Sequence, residues 1–289
     1  MSQRALLIVN EKSRRGKEAL PEVIDGLRKA GITSVHKHCG NREELSDLIA
    51  CEGQAVDLIV VGGGDGTLNA AAQALTKVRR PLGILPLGTA NDLARTLGIP
   101  TDLGEAIEVL AGRKTKSIDI GLVNDVMFFN VASLGLSTDL SQKLTRDLKS
   151  RFGRLGYAFA ALRVLAGARP FLAHITCDGG QFSSLTLQIA VGNGRYYGGG
   201  NVIHKDASIT DATLRLYSLE FVNAWRIVLM FRSFRAGEHG AFKEVVELSS
   251  SQFEVRTRRP RPINADGEIV THTPASFRVL PKAIDVIVP

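Results

Sequence analysis

Two short stretches of the sequence share one pattern: Gly66-Thr67-Leu68-Asn69 and Gly88-Thr89-Ala90-Asn91 both read G-T-x-N, and each follows an apolar run. In front of the first stand Gly62, Gly63, Gly64 and Asp65. Residues of these types suit phosphate. Glycines let backbone N–H groups surround phosphate oxygens, a helix N-terminus adds partial positive charge, and Thr67, Asn69, Thr89 and Asn91 can donate further hydrogen bonds. Asp65 repels an anion, so its expected work is Mg²⁺ organisation or contact with ligand hydroxyls. Glycine in a turn with threonine as a helix cap would explain either stretch alone, but not the pair together with the acid. Two familiar phosphate loops are excluded. The dinucleotide fingerprint G-x-G-x-x-G meets Thr67 or Asn69 at its sixth position, and Gly16-Lys17 lacks both the upstream glycine and the following Ser/Thr of a P-loop.

The surrounding elements decide where such loops would lie. Residues 4–10, 34–39, 57–63 and 81–88 read as strands, the last two apolar enough to be buried on both faces. Residues 17–30, 42–51 and 67–76 read as helices, with Gly31 and Gly98 placed where helices end. This βαβαβα order implies a parallel sheet with right-handed crossovers, and both G-T-x-N loops then fall at the carboxyl ends of strands, where ligands bind in open α/β folds. From about Ser117 the texture turns to short alternating strands, among them 117–123, 127–133, 171–177, 185–193, 213–219, 244–249, 252–258, 276–281 and 284–288. Helical patterns interrupt them at 136–167 and 221–235. The expected organisation is an α/β domain over 1–116 and an antiparallel β domain with helices over 117–289, a division that a length of 289 residues also favours.

Lys and Arg number 36 against 29 Asp and Glu, a net charge of +7 that favours anionic partners. Three cysteines, Cys39, Cys51 and Cys177, without C-x-x-C spacing argue against a disulfide framework or zinc site and fit a reducing cytoplasm. No run of about 18 apolar residues occurs, so membrane contact would be peripheral. The basic run Arg256 to Pro262 carries neither stacking aromatics nor finger spacing, and nucleic acid is not an expected partner. Residues 136–167 hold apolar stretches, YAFAAL and LRVLAG, broken by Arg146, Lys149, Arg151, Arg154 and Arg163, an amphipathic pattern that fits either packing against the β domain or rest on an anionic bilayer.

VVGGGDGTLN (60–69) followed by GILPLGTANDLAR (83–95) resembles the diacylglycerol kinase catalytic-domain family, specifically its soluble bacterial lipid kinases, with sphingosine kinases as relatives and NAD kinases as distant ones. The resemblance continues through VGNGRYYGGG (191–200), DASITDATL (206–214) and NADGE (264–268), and so spans essentially the whole chain. It implies a Rossmann-like three-layer parallel-sheet domain and a β-sandwich-like antiparallel domain with helical insertions, with the active-site cleft between them. ATP would be bound by Gly63, Gly64, Asp65, Gly66, Thr67, Leu68, Asn69 and Thr89. Asn10 and Ser13 match a family N-P-x-S-G segment in which Glu11 and Arg14 replace the proline and glycine, and His38 stands for a family threonine.

Read alone, Asp266-Gly267 is a hairpin turn, like Asp178-Gly179. The resemblance instead places the catalytic acid here, with Glu268 as the base and Asp266 as its neighbour and substitute; Asp65 joins them in the active site. It also implies a structural Mg²⁺ on Asp211 and the backbone carbonyls of Ser208 and Thr213. There Ala212 replaces a glycine and would be strained at positive φ, and a single carboxylate suits Mg²⁺ poorly without added waters. Ala70 stands where many relatives have glutamate. The function implied is an ATP- and Mg²⁺-dependent lipid kinase with a diacylglycerol-like or sphingoid acceptor, cytoplasmic and in peripheral contact with the anionic inner face of the membrane. A kinase of a soluble acceptor such as NAD, or a nucleotide-binding regulator without turnover, are the alternatives.

Overall fold

The computed structural model describes residues 3–11, 14–143, 167–194, 196–197, 201–202, 208–220 and 245–289. The chain begins β1 (Gln3–Val9), α1 (Arg14–Lys29), β2 (Ile32–Lys37), α2 (Arg42–Glu52), β3 (Leu58–Gly63), α3 (Asp65–Val78) and β4 (Leu82–Pro86). β1 pairs in parallel with β2 and β3, and β3 in parallel with β4. Because β1 to β2 steps one way across the sheet and β2 to β3 the other, right-handed crossovers put α1 on one face and α2 and α3 on the opposite face. The packing of α2 on α3, and of α1 on the later α5, completes the three layers. β3 and β4 are buried along their whole length, as their unbroken apolar sequence requires. Gly31 and Gly98, at φ 74° and 72°, end helices in the left-handed conformation that glycine adopts without a steric penalty.

Two helices follow β4: α4 (Asp92–Leu97), the helix whose end Gly98 marks in the sequence, and α5 (Leu103–Gly112), absent from the sequence-based reading and capped by Asp102, whose side chain accepts the Glu105 N–H. Next come β5 (Thr115–Val123), β6 (Val126–Phe128), β7 (Val131–Gly135), α6 (Leu136–Lys143), β8 (Phe171–Cys177), β9 (Gly180–Thr186), β10 (Gln188–Gly192), the short β11 (Tyr196–Tyr197) and β12 (Asn201–Val202), and β13 (Leu214–Leu219). The chain closes with β14 (Val245–Ser250), β15 (Gln252–Thr257), β16 (Pro262–Ala265), β17 (Glu268–His272) and β18 (Ala275–Ile287). Of the helical pattern at 136–167, α6 and Gly167 are described; the rest of it and the pattern at 221–235 lie outside the described residues. Among the described residues no helix is long and apolar enough to cross a membrane.

β14-β13-β10-β7-β16-β17 form an antiparallel sheet. A second, ten-stranded sheet runs β2-β1-β3-β4-β18-β15-β8-β9, with β5 alongside β18 and β6 on β5. The expected strands 276–281 and 284–288 are thus one strand, β18. A register shift between Leu280 and Ile284, with Lys282 at φ 48°, lets its first half pair with β15 and its second half reach β4 in parallel, while both halves pair with β5. The expected boundary near Lys116 falls at the start of β5, and the ten-stranded sheet runs across it.

Two apolar clusters result. One surrounds the parallel strands; the other fills the space between the sheets, where Phe128, Phe253 and Phe277 are fully buried. Each such ring contributes about 1.5–3 kcal/mol. Gly121 faces Phe128, and a Cβ there would lie 2.2 Å from the ring, so the glycine makes room for the aromatic.

Candidate active site

The two G-T-x-N loops touch. A Cβ on Gly88 would lie 2.4 Å from the Cα of Gly64, and the Leu87 N–H donates to the Gly63 carbonyl at 3.1 Å. Gly63 is equally constrained, since a Cβ there would meet Thr67 Oγ1 at 2.6 Å. Small residues are therefore required before any ligand is considered. An α-helix leaves its first amides without an intrahelical acceptor, and in α3 those amides belong to this loop. Asn10, at the end of β1, donates to Thr67 Oγ1 at 3.2 Å and fastens the loop from the side. Leu68 is core and its N–H donates to the Gly64 carbonyl, so neither its side chain nor its amide is left for a ligand, whereas Thr89 stands exposed next to Gly88. Ser13 lies outside the described residues.

Asp65 opens α3, and its Oδ1 accepts the Leu93 N–H in the first turn of α4 at 3.0 Å. Asn91 precedes that helix at φ 52°, and its amide is spent on its own loop: Oδ1 accepts from Gly88 N, and Nδ2 donates to the carbonyls of Gly88 and Pro86. Asn69 turns away from the phosphate loop, donating to the Met127 carbonyl and to Asp266 Oδ2, each at 3.1 Å.

Asp266 and Gly267 form the β16–β17 turn at φ 45° and 99°, the positive pair a tight hairpin needs, and Gly267 N donates to Asn264 Oδ1. The hairpin reading and the resemblance thus meet in one turn. The partly buried Asp266 carboxylate accepts from Phe129 N at 2.7 Å and Asn69 on one oxygen, and from Asn130 N at 3.0 Å and Val131 N at 3.1 Å on the other. Those three amides span the break between β6 and β7 and the first residue of β7, where the sequence-based reading has one strand over 127–133. Burial pushes the Asp266 carboxyl above its usual value, while the Val131, Phe129 and Asn130 amides and the Asn69 side chain pull it back.

Glu268, the first residue of β17, is half-exposed and paired with Arg42 at the start of α2, whose guanidinium also reaches the Gly66 carbonyl. Arg42 was missed from sequence. Its signal is a cation in the first turn of a helix, where the dipole disfavours positive charge. His38 sits with His36 on Glu11, 3.1 and 3.4 Å from its Oε1, and the His38 hydrogen bond holds the Glu11 carboxyl below its usual value.

Between the loops and the antiparallel sheet lies a cavity of about 340 Å³, lined by Asp65, Asp92, Asn130, Gln188, Asp266 and Gly267 among others. The Asn130 side-chain oxygen is buried there without a hydrogen-bond partner among the described residues. Ser208, Asp211 and Thr213 do not line this cavity; they lie in the turn leading into β13, with Ala212 at φ 54° as the replaced glycine forewarned.

Residues 4–123 match the family described as diacylglycerol kinase catalytic domain, and residues 130–288 the YegS C-terminal NAD kinase beta sandwich-like domain. A protein of Enterobacter sp. (strain 638) named "Probable lipid kinase YegS-like" is 32% identical, covering 99% of this chain and 96% of its own. A Bacillus subtilis protein named diacylglycerol kinase is 30% identical over 99% of this chain and 97% of its own. In fold, the crystal structure of a diacylglycerol kinase from Bacillus anthracis str. Sterne superimposes with a TM-score of 0.79 at 23% identity, over 99% of this chain and 97% of that one.

Proposed function

The chain belongs to the diacylglycerol kinase catalytic-domain family of lipid kinases, and on that premise we propose that it transfers the γ-phosphate of ATP to a hydroxyl of a diacylglycerol-like or sphingoid lipid. The shared cavity carries the reading. Asp65 and Ala90 from the two loops and Asp266 and Gly267 from the hairpin line one space, so a phosphate donor on one wall would meet a hydroxyl on the other.

In this reading residues 1–116 supply the nucleotide loops and residues 117–289 the acceptor side. The backbone amides of Gly64, Asp65 and Gly66 would hold the phosphates, since those of Thr67 and Leu68 already donate to the Gly64 carbonyl, and Asn10, Ser13 and Thr89 would add side-chain hydrogen bonds. Glu268 takes the proton from the lipid hydroxyl as that oxygen bonds to the γ-phosphorus and the bond to the β-phosphate oxygen breaks, releasing ADP. Asp266, with both oxygens already accepting N–H groups, fixes the hairpin that carries Glu268. Positioning and charge neutralisation provide most of the acceleration. ATP enters as its Mg²⁺ complex, so that the cation belongs to the substrate. The net charge of +7 supports peripheral contact with an anionic membrane surface at the cytoplasmic face, where the lipid would be met.

Incubation with γ-labelled ATP and liposomes containing diacylglycerol or a sphingoid base, followed by phase separation, tests the reading. Label in the lipid phase is the expected result. Label in a soluble acceptor such as NAD, or nucleotide binding without transfer to any acceptor, would replace it.

A further inference from the structure

The motif DASITDATL implies a cation held by Asp211 and by the carbonyls of Ser208 and Thr213, and the turn does not fit one. Asp211 Oδ2 accepts from Arg215 Nη2 at 2.9 Å, and Oδ1 accepts the Thr213 N–H at 3.1 Å. The Thr213 hydroxyl donates back to the Asp211 carbonyl at 3.1 Å, and the Ser208 and Thr210 hydroxyls bond each other at 3.0 Å. The set offers one carboxylate, and both its oxygens are engaged. Mg²⁺ asks for near-octahedral oxygens and gives up its waters reluctantly. To bind here it would have to displace a guanidinium and then sit beside it, with like charges opposed in a partly sheltered site. Among the described residues no group of three or more His, Cys, Asp or Glu could hold a metal ion.

We propose that Arg215 is the resident cation of this turn, its guanidinium standing in place of the metal, so that the turn folds and holds its shape without Mg²⁺. Arg215 and Asp211 lie four residues apart, and their side chains are 19% and 29% exposed, which shelters the pair from the screening that weakens open surface pairs.

The turn needs such an anchor because of what hangs on it. The Ala212 N–H donates at 2.7 Å to Asp119, a buried acid in the middle of β5. The other oxygen of Asp119 accepts the Lys282 N–H at 2.8 Å, at the irregularity in β18, and the Asp119 N–H donates to the Ile209 carbonyl at 2.8 Å. Asp119 therefore ties three segments together: the turn that enters the antiparallel sheet at β13, the strand β5, and the strand β18 that joins the parallel and antiparallel parts of the larger sheet. A strut between the sheets that depended on a dissociable ion would loosen whenever the ion left; one built on Asp211 and Arg215 does not.

The test uses neither nucleotide nor lipid, so it stands or falls separately from the kinase reading. Mn²⁺ binding to the full-length, nucleotide-free protein is counted by electron paramagnetic resonance for wild type and Asp211→Asn. Thermal melting is followed in EDTA and in Mg²⁺ for wild type, Asp211→Asn and Arg215→Gln. The expected results are equal Mn²⁺ counts, a wild-type melting temperature that is the same in EDTA and Mg²⁺, and Arg215→Gln melting about 2–4 °C lower than wild type in EDTA. One extra Mn²⁺ in wild type over Asp211→Asn, or a Mg²⁺-dependent rise in melting temperature that Asp211→Asn removes, would overturn the proposal. An Arg215→Gln protein that melts with wild type would overturn it too. Should Arg215→Gln fail to fold, the Mn²⁺ comparison still decides.

Discussion

Asp65 Oδ1 accepts the Leu93 N–H at 3.0 Å, so the acid of one G-T-x-N loop caps the helix that follows the other. α4 receives no capping bond from the side chain of its own Asn91, and α3 supplies the acceptor instead. Before any work on Mg²⁺ or ligand hydroxyls, Asp65 thus has a structural one: it locks the two loops to each other. Asp65→Ala should cost about 0.5–2 kcal/mol of stability and lower lipid phosphorylation at least about 100-fold. Asp65→Asn keeps an oxygen for Leu93 and should melt near wild type, yet lose activity. Full turnover by Asp65→Asn would show that the charge is dispensable.

Gly88 and Gly64 meet backbone to backbone. Gly88→Ala places a methyl group 2.4 Å from the Gly64 Cα, a backbone atom that cannot swing away, and 2.7 Å from Asn91 Oδ1, which could move only by giving up its bond to Gly88 N. A loss of about 1–3 kcal/mol is expected from the forced shift, together with loss of ATP binding by calorimetry. Gly64→Ala, whose nearest contact would be 3.1 Å, should be the milder of the two.

Asp266→Asn exchanges one acceptor oxygen for a donor that faces a backbone N–H. Leaving such groups unpaired in a buried site costs about 1–3 kcal/mol, measurable by urea unfolding. The pH dependence has a definite sign. Burial raises the native Asp266 pKa above its ordinary value of 3.8, so its contribution to stability is fully present below the unfolded pKa and is lost as pH rises through the folded pKa. Asp266→Asn should lack that part of the acid-range profile. A profile of opposite slope would mean that the four hydrogen bonds outweigh burial.

Glu268→Gln should leave melting unchanged within about 0.5 kcal/mol, as expected for a half-exposed side chain. Transfer to lipid should fall about 10²–10⁴-fold, the range for a lost general base. Turnover near wild type would move the base to another residue.

The strongly periodic parts of the fold were legible. The apolar runs at 57–63 and 171–177 became β3 and β8 within a residue, because unbroken or strictly alternating apolar sequence leaves little choice. What was missed is set by tertiary partners. α4 was legible at its Gly98 end but not in its extent, because six residues are too few for a period and its start depends on Asp65 from another element. β6 and β7 read as one strand because nothing in MFFNVAS announces that the amides of Phe129, Asn130 and Val131 turn to a carboxylate more than a hundred residues away. The two loops and the hairpin that line the cavity stand out in the sequence. The ion pairs Arg42–Glu268 and Asp211–Arg215 do not, since a charge reveals its partner only once the chain is folded.

β18 has a consequence for how the molecule comes into being. Val286 lies beside Leu82, roughly 200 residues earlier, and completes the edge of the parallel sheet at β4. On the ribosome, the α/β half would emerge with that edge bare and wait until roughly 200 more residues were translated. A nascent chain halted at Lys116 should therefore be a client for chaperones rather than a finished domain, because a flat apolar strand edge is a template for mispairing.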